Sequence, residues 1–254
     1  MGEALREEPV YEIDARGLHY QQLNQDIHDL LEGGARSILV KNVAGQRFIG
    51  CGVKGQSKLT LRGVPGNNLG SYMDGLHIEV LGNCQDGIGN TMNSGTIVVH
   101  GHAGDIAGYA MRGGVIYIRG DVGYRSGIHM KAYRDKYPVI VVGGRAGNFL
   151  GEYMAGGVII VLGLNIRDGS SVVGDFLGTG MHGGVILVRG DIEPHRLAKE
   201  VAPGDLTDED WQLLSTYVGN YCSIFGAELD VRDQQWTKLV PSSSRPYAAL
   251  YNHR

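Results

Sequence analysis

Two hydrophobic periods are superimposed along this chain. Short runs alternate apolar and polar residues with a period of two, and the runs return every 19 residues until insertions lengthen the later intervals. They are KLTLRG ending at Gly63, HIEVLG at Gly82, TIVVHG at Gly101, VIYIRG at Gly120, VIVVG at Gly143, VIIVLG at Gly163 and VILVRG at Gly190. β-Branched runs of this length read as strands. Alternation places Ile78/Val80, Ile97/Val99, Ile116/Ile118, Ile140/Val142, Ile159/Val161 and Ile186/Val188 on one inward face. A single strand of this kind cannot bury that face; stacked coil on coil, the same positions form ladders of like residues.

Further columns share the register. Gly70, Gly89, Gly108, Gly127, Gly151 and Gly178 are each followed three residues later by methionine: Met73, Met92, Met111, Met130, Met154 and Met181. Gly-Asx pairs open most units, at Gly66-Asn67, Gly104-Asp105, Gly147-Asn148 and Gly174-Asp175. Glycine suits corners that need positive φ, Asn and Asp suit bonds to their own turns, and methionine is soft interior filling. The expected fold is all-β, a single-stranded parallel β-solenoid of about seven coils. At about 4.8 Å per coil the rod is roughly 30 Å long. Its outward strand positions Val98, Tyr117, Val141, Ile160 and Leu187 form an apolar stripe, which predicts cover by another element or another subunit.

Open ends need caps. Residues Tyr20 to Glu32 read as an amphipathic helix with Leu23, Ile27 and Leu30/Leu31 on one face, followed by strands SILVKNV and QRFIGCGV. Thr207, followed by Asp208, Glu209 and Asp210, marks the start of a second helix running to Phe225 with Gly226 at its stop. The chain thus divides into an N-terminal α/β cap (1–57), a glycine-rich β-helix (58–193), and a C-terminal helix with a docking tail (194–254) that carries Tyr247 and Tyr251. Insertions at Lys131 to Pro138 and around Asn165 to Ser171 read as surface loops or binding faces.

Composition narrows the function classes. Glycine is 41 of 254 residues against an average near 7%, and with only 7 prolines this is neither collagen nor a disordered tract. A net charge of −4 gives no footprint for nucleic acid or anionic membrane. With no apolar run of about 20 residues and no secretory pattern, cytoplasm is the expected location. Cys51, Cys84 and Cys222 stand apart and read as small buried apolar residues.

Candidate chemistry is sparse. GTGMHG (Gly178 to Gly183) matches a dinucleotide fingerprint in letters but leads into a strand, not a helix. His100 and His102 offer two imidazoles, with no acidic or cysteine companion at useful spacing. His129 and His182 flank column methionines without a paired nucleophile, and Asp86, Asp105 and Asp175 follow the repeat as turn residues. No catalytic, cofactor-binding or metal residue is therefore assigned.

The units from Gly66 to Gly190, with GQRFIGCGVKG before them, resemble the glycine-rich C-terminal β-helix domain of the glutamate synthase large subunit. YEIDARGLHYQQLNQDI and RPYAALY resemble the free-standing form of that domain, found where the synthase is split into separate polypeptides. The resemblance implies a right-handed β-helix that serves as a structural subunit without an active site of its own. Its implied partners are a glutamine amidotransferase subunit and an FMN-dependent synthase subunit, with FMN and an iron–sulfur cluster held by the partners. Together they would pass ammonia from glutamine to 2-oxoglutarate and reduce the imine to glutamate. Met1 is followed by Gly2, not by the family's amidotransferase cysteine. Two related assemblies share the repeat: formylmethanofuran dehydrogenase, with its β-helix subunit, and N-methylglutamate synthase. A polysaccharide-acting β-helix enzyme would need clustered acids, whereas the outward columns offer Glu79, His100, Arg119 and Arg189 among aliphatics. Self-association is left open.

Overall fold

The alternating runs fold as strands that stack in chain order. The computed structural model describes residues 9–164, 166 and 170–243. Its elements are β1 (Val10–Asp14), α1 (Tyr20–Glu32), β2 (Ser37–Ala44), β3 (Lys58–Val64), β4 (Asp74–Leu81), β5 (Ser94–Val99) and β6 (Gly114–Ile118). There follow β7 (Pro138–Val142), β8 (Ala155–Val161), β9 (Gly183–Arg189), a 3-10 turn at Pro194–Arg196, β10 (Val201–Gly204), α2 (Asp208–Phe225) and β11 (Trp236–Pro241). All strands join one sheet in the order β1 to β9, then β11, then β10. Neighbours from β1 to β9 are parallel, while β11 and β10 return antiparallel.

This is a parallel β-solenoid. The seven strands β3 to β9 are joined by six turns. Ile78, Ile97, Ile116, Ile140, Ile159 and Ile186 stand in direct register, fully buried, as the 19-residue period requires. The six column methionines are fully buried behind them. The column glycines make this packing fit. Gly89 is left-handed at φ +64°, and a Cβ there would approach Ile116 Cδ1 of the next coil to 2.5 Å.

The expectation that Asn and Asp bond their own turns is corrected. The Asp105 N–H donates to Asp86 Oδ1 at 2.9 Å, the Tyr124 N–H to Asp105 Oδ1 at 2.7 Å, and the Asp175 N–H to Asn148 Oδ1 at 2.9 Å. Each side chain bonds the equivalent position one coil on. The N–H that follows Asp86 is likewise turned to the next coil: that of Gly87 donates to Asp105 O at 2.9 Å. The preceding glycine then has a reason, since a Cβ on Gly104 would fall on Asp86 Oδ1. A second cross-coil ladder runs through Asn83, His102 and Asp121.

QRFIGCGV is not a strand. Phe48, Gly50 and Gly52 all have φ between 60° and 71°, and three left-handed residues in five cannot form an extended run. The segment is the first corner of the solenoid. Gly50 holds the glycine column, Val53 stands in for methionine, and the Gly70 N–H donates to Ile49 O at 2.8 Å.

The outward apolar stripe is covered by this chain's own α2. Leu214, Val218 and Tyr221 bury against Val98, Tyr117, Val141, Ile160 and Leu187. The helix starts on a capping box between Thr207 and Asp210 and stops at left-handed Gly226. Lys238 of β11 pins it through a 2.6 Å ion pair with Asp210. The Lys131 to Pro138 insertion packs back on α2, with the Tyr137 and Tyr217 hydroxyls 3.0 Å apart. Residues 165 and 167–169 of the second insertion, and the tail with Tyr247 and Tyr251, lie outside the described residues. Among the described residues no helix is long and apolar enough to cross a membrane.

Candidate functional site

Each corner of the solenoid has three backbone positions that repeat: a residue before the inward apolar side chain, the column glycine, and the residue before methionine. All three adopt left-handed geometry in most coils. Glycine fills the outer positions at Gly52, Gly87 and Gly180, so the corner itself asks for nothing bulkier. The remaining outer positions carry side chains in every coil: Phe48, Asn68 and Tyr72, Thr91, Ile106 and Ala110, then Arg125 and His129, Phe149 and Tyr153, and Phe176. The backbone N–H groups of Arg125, His129, Phe149 and Tyr153 are committed to the next coil; that of His129, for example, donates to Glu152 O at 2.9 Å. The cross-coil bonds hold the backbone in place while the side chains project from the corner.

These side chains stack along the rod. His129 lies parallel to Tyr153 with centroids 5.2 Å apart, and Phe149 lies on Phe176 at 4.8 Å. Tyr109 meets His129 edge-on at 5.9 Å, and the Arg125 guanidinium sits 5.0 Å over the Phe149 ring. Arg125 also pairs with Glu152 at 2.8 Å. The outer rings remain open to solvent, Tyr153 at 37% and Phe176 at 54%. The sequence signal for this face was the recurrence of aromatic residues, Phe149, Tyr153 and Phe176, at the two positions that flank the column glycine.

The histidines and acids of interest are dispersed. His100 and His102 point to different partners: His100 Nε2 lies 3.0 Å from Glu79 Oε1, while His102 Nδ1 accepts the Asp121 N–H at 2.9 Å. The expectation that neither has an acidic companion is corrected, because coil stacking brings Glu79 to one and the Asp121 carboxylate to within 3.5 Å of the other. Glu79 also takes a 2.8 Å ion pair from Lys58. That bond holds its carboxyl below the usual range against the opposing pull of burial, with His100 adding to it. The nearby His77 imidazole is pushed down by burial and then by Lys58. An open cleft of about 690 Å³ adjoins these strands, lined by Arg36, Gln56, Ser57, Lys58, Gly75 and His77. His182 Nδ1 lies 3.2 Å from Gly180 O within its own turn.

The remaining candidates have structural partners. Asp86 and Asp105 are ladder rungs, and Asp175 pairs with Arg196 at 2.6 Å. Gly178 and Gly180 of GTGMHG form a corner that leads into β9. Burial raises the thiol of each cysteine away from the thiolate form. Among the described residues no three His, Cys, Asp or Glu side chains converge on a metal position.

The repeated Gly-x-Gly corner, the isoleucine and methionine columns and the single parallel sheet define a glycine-rich β-solenoid. The chain belongs to the GXGXG motif family, whose model matches residues 26–243. It is 46% identical over 248 residues to "Uncharacterized protein MJ1350" of Methanocaldococcus jannaschii, covering 94% of this chain and 95% of the relative. In fold it is similar to a chain of the formyltransferase/hydrolase complex (FhcABCD) from Methylorubrum extorquens, solved with methylofuran. That match has a TM-score of 0.57 at 20% identity and covers 88% of this chain and 87% of the other.

Proposed function

We propose that this chain is a structural subunit, without an active site of its own, of a glutamate-synthase-type complex. In that complex it holds a glutamine amidotransferase subunit beside an FMN-dependent, iron–sulfur-bearing synthase subunit in the cytoplasm, and the cofactors belong to those partners. The observation that carries this reading is the extent of the GXGXG match, which runs from residue 26 to residue 243 and so takes in most of both caps as well as the repeat. Packing supports it: the interior along the rod is taken up by the isoleucine and methionine columns. Recovery of the tagged chain from its native cell tests the reading. An amidotransferase and a yellow flavoprotein should co-purify, and the isolated chain should hydrolyse no glutamine. Glutaminase activity or bound FMN in the isolated chain would overturn it.

A second reading rests on the fold shared with a chain of a formyltransferase/hydrolase complex. There the same rod would organise one-carbon transfer subunits, as in a formylmethanofuran dehydrogenase. The co-purifying subunits separate the two: metal-pterin or formyl-transfer proteins in place of the amidotransferase would favour the second.

A further inference from the structure

We propose that the cleft where β2, β3 and β4 begin binds a small organic molecule through its phosphate group. The cleft is complete within this chain, and binding there is independent of the structural-subunit role.

One column of the sheet marks the place. Ser37, Lys58 and His77 stand on the outward face in the same register as Val115, Val139 and Val158. The three valines pack in the cluster under α2. That helix ends at Phe225, whose ring meets His100 edge-on at 5.3 Å. Beyond it the column turns polar and opens into the cleft of about 690 Å³, lined by Arg36, Gln56, Ser57, Lys58, Gly75 and His77.

No acid lines this cleft, and the two nearby carboxylates are already engaged. Glu79 takes Lys58 at 2.8 Å and lies 3.0 Å from His100 Nε2, while Asp74 accepts from the Ser94 hydroxyl and lies 3.5 Å from the Lys136 ammonium. By contrast, the Arg36 guanidinium, the Gln56 amide and the His77 imidazole make no hydrogen bond or ion pair with any described residue. A solvated sheet face mixes charges of both signs. Here every unspent group can donate, and the one unspent full charge is positive. Burial, and after it Lys58, holds the His77 imidazole below its usual range, so at neutral pH it is uncharged and offers a single N–H.

The free donors come from three successive coils: Arg36 ahead of β2, Gln56 ahead of β3 and His77 within β4. Adjacent strands lie about 4.8 Å apart, a gap that the long Arg36 and Gln56 side chains can close on one shared oxyanion. Donation from three sides suits the three terminal oxygens of a phosphate ester, where a carboxylate has two. The arginine fork supplies the bidentate contact. The cleft volume is that of a metabolite site and leaves room for the organic remainder.

Isothermal titration of the full chain with glycerol 3-phosphate in low-salt buffer tests this. Saturable binding should appear, and Arg36→Gln should weaken it by at least about tenfold, the worth of one charge-assisted hydrogen bond. Because Arg36 is exposed and unpaired, the thermal midpoint of that variant should stay where it is. Lys199→Gln removes one positive charge at the other end of the rod and should leave the affinity unchanged. In spectra of the chain labelled at histidine, the His77 resonances should shift with the ligand and those of His182 should not. Inorganic phosphate should compete, and malonate should compete less well. Absence of saturable binding would overturn the proposal and leave the structural-subunit reading standing. Affinity that is insensitive to Arg36→Gln, or equally weakened by Lys199→Gln, would also overturn it, as ion adsorption without a site. Tighter binding of malonate than of phosphate would overturn the choice of ligand.

Discussion

The Nδ1 atom of His102 accepts the backbone N–H of Asp121 at 2.9 Å, in a ladder where Asn83 Oδ1 accepts the His102 N–H and Asp121 Oδ1 accepts the Arg145 N–H. The imidazole stands in for an amide or carboxylate. His102→Asn should therefore preserve the rung, whereas His102→Ala should cost about 0.5–1 kcal/mol, the net worth of one hydrogen bond. Urea unfolding of the two variants checks this. Equal losses would mean that the rung contributes nothing.

Gly104 and Asp86 should behave as a coupled pair. Gly104→Ala sets a methyl group on Asp86 Oδ1 and should destabilise by about 1–3 kcal/mol through overpacking. Adding Asp86→Ala removes the closest contact and leaves the Gln85 carbonyl carbon at 3.1 Å, so the double variant should be more stable than the sum of the single losses predicts. A double-mutant cycle by thermal unfolding measures the coupling, and strict additivity would count against the packing account.

The Lys238–Asp210 ion pair, mostly shielded from water, fastens α2 to the end of the sheet. Burial opposes ionisation of Asp210, but hydrogen bonds from Lys238 and Thr207 outweigh it and keep the carboxyl below its ordinary range. Lys238→Met leaves a buried carboxylate unpaired and should cost about 3 kcal/mol. Because the folded value is depressed, this stabilisation is full above the unfolded carboxyl value of about 3.9 and is lost as pH falls through the folded one. The stability gap between wild type and Asp210→Asn should hold steady between pH 5 and 7 and close on acidification. A gap independent of pH would contradict the linkage.

Ser126 sits in a column otherwise filled by Ile49, Leu69, Ile88, Ala107, Leu150 and Leu177, and its buried hydroxyl has no hydrogen-bond partner among the described residues. Ser126→Ala should raise stability by about 1 kcal/mol, since a desolvated, unpaired hydroxyl is removed at almost no loss of volume. A lowered urea midpoint would imply that the hydroxyl is satisfied by a trapped water.

Much of the fold was legible because packing repeats what sequence repeats. The inward isoleucines, the buried methionines and the limits of both long helices follow from period and capping residues that act locally. QRFIGCGV misled because its β-rich letters hide Gly50 and Gly52, and only the stacking of Ile49 beneath Gly70 identifies a corner. The partners of Asp86 and of His100 were hidden for a related reason. Periodicity places equivalent residues above one another without saying whether a side chain bonds within its turn or across the gap. The element covering Val98 to Leu187 was also undetermined, because an apolar stripe specifies that a cover exists and not which chain provides it. The corner face escaped notice because the positions that flank the column glycine carry a different residue in nearly every coil, so that no column of like residues marks them.

The reversal of direction at β11 and β10 sets a limit on growth. A stack of parallel coils is a template on which the next identical coil could add, and a second molecule could continue it. Here the last coil meets an antiparallel strand, and the outermost strand among the described residues carries Pro203, which has no N–H to offer. At this end the rod is a finished piece of fixed length, protected from fibre formation by its own terminal strands.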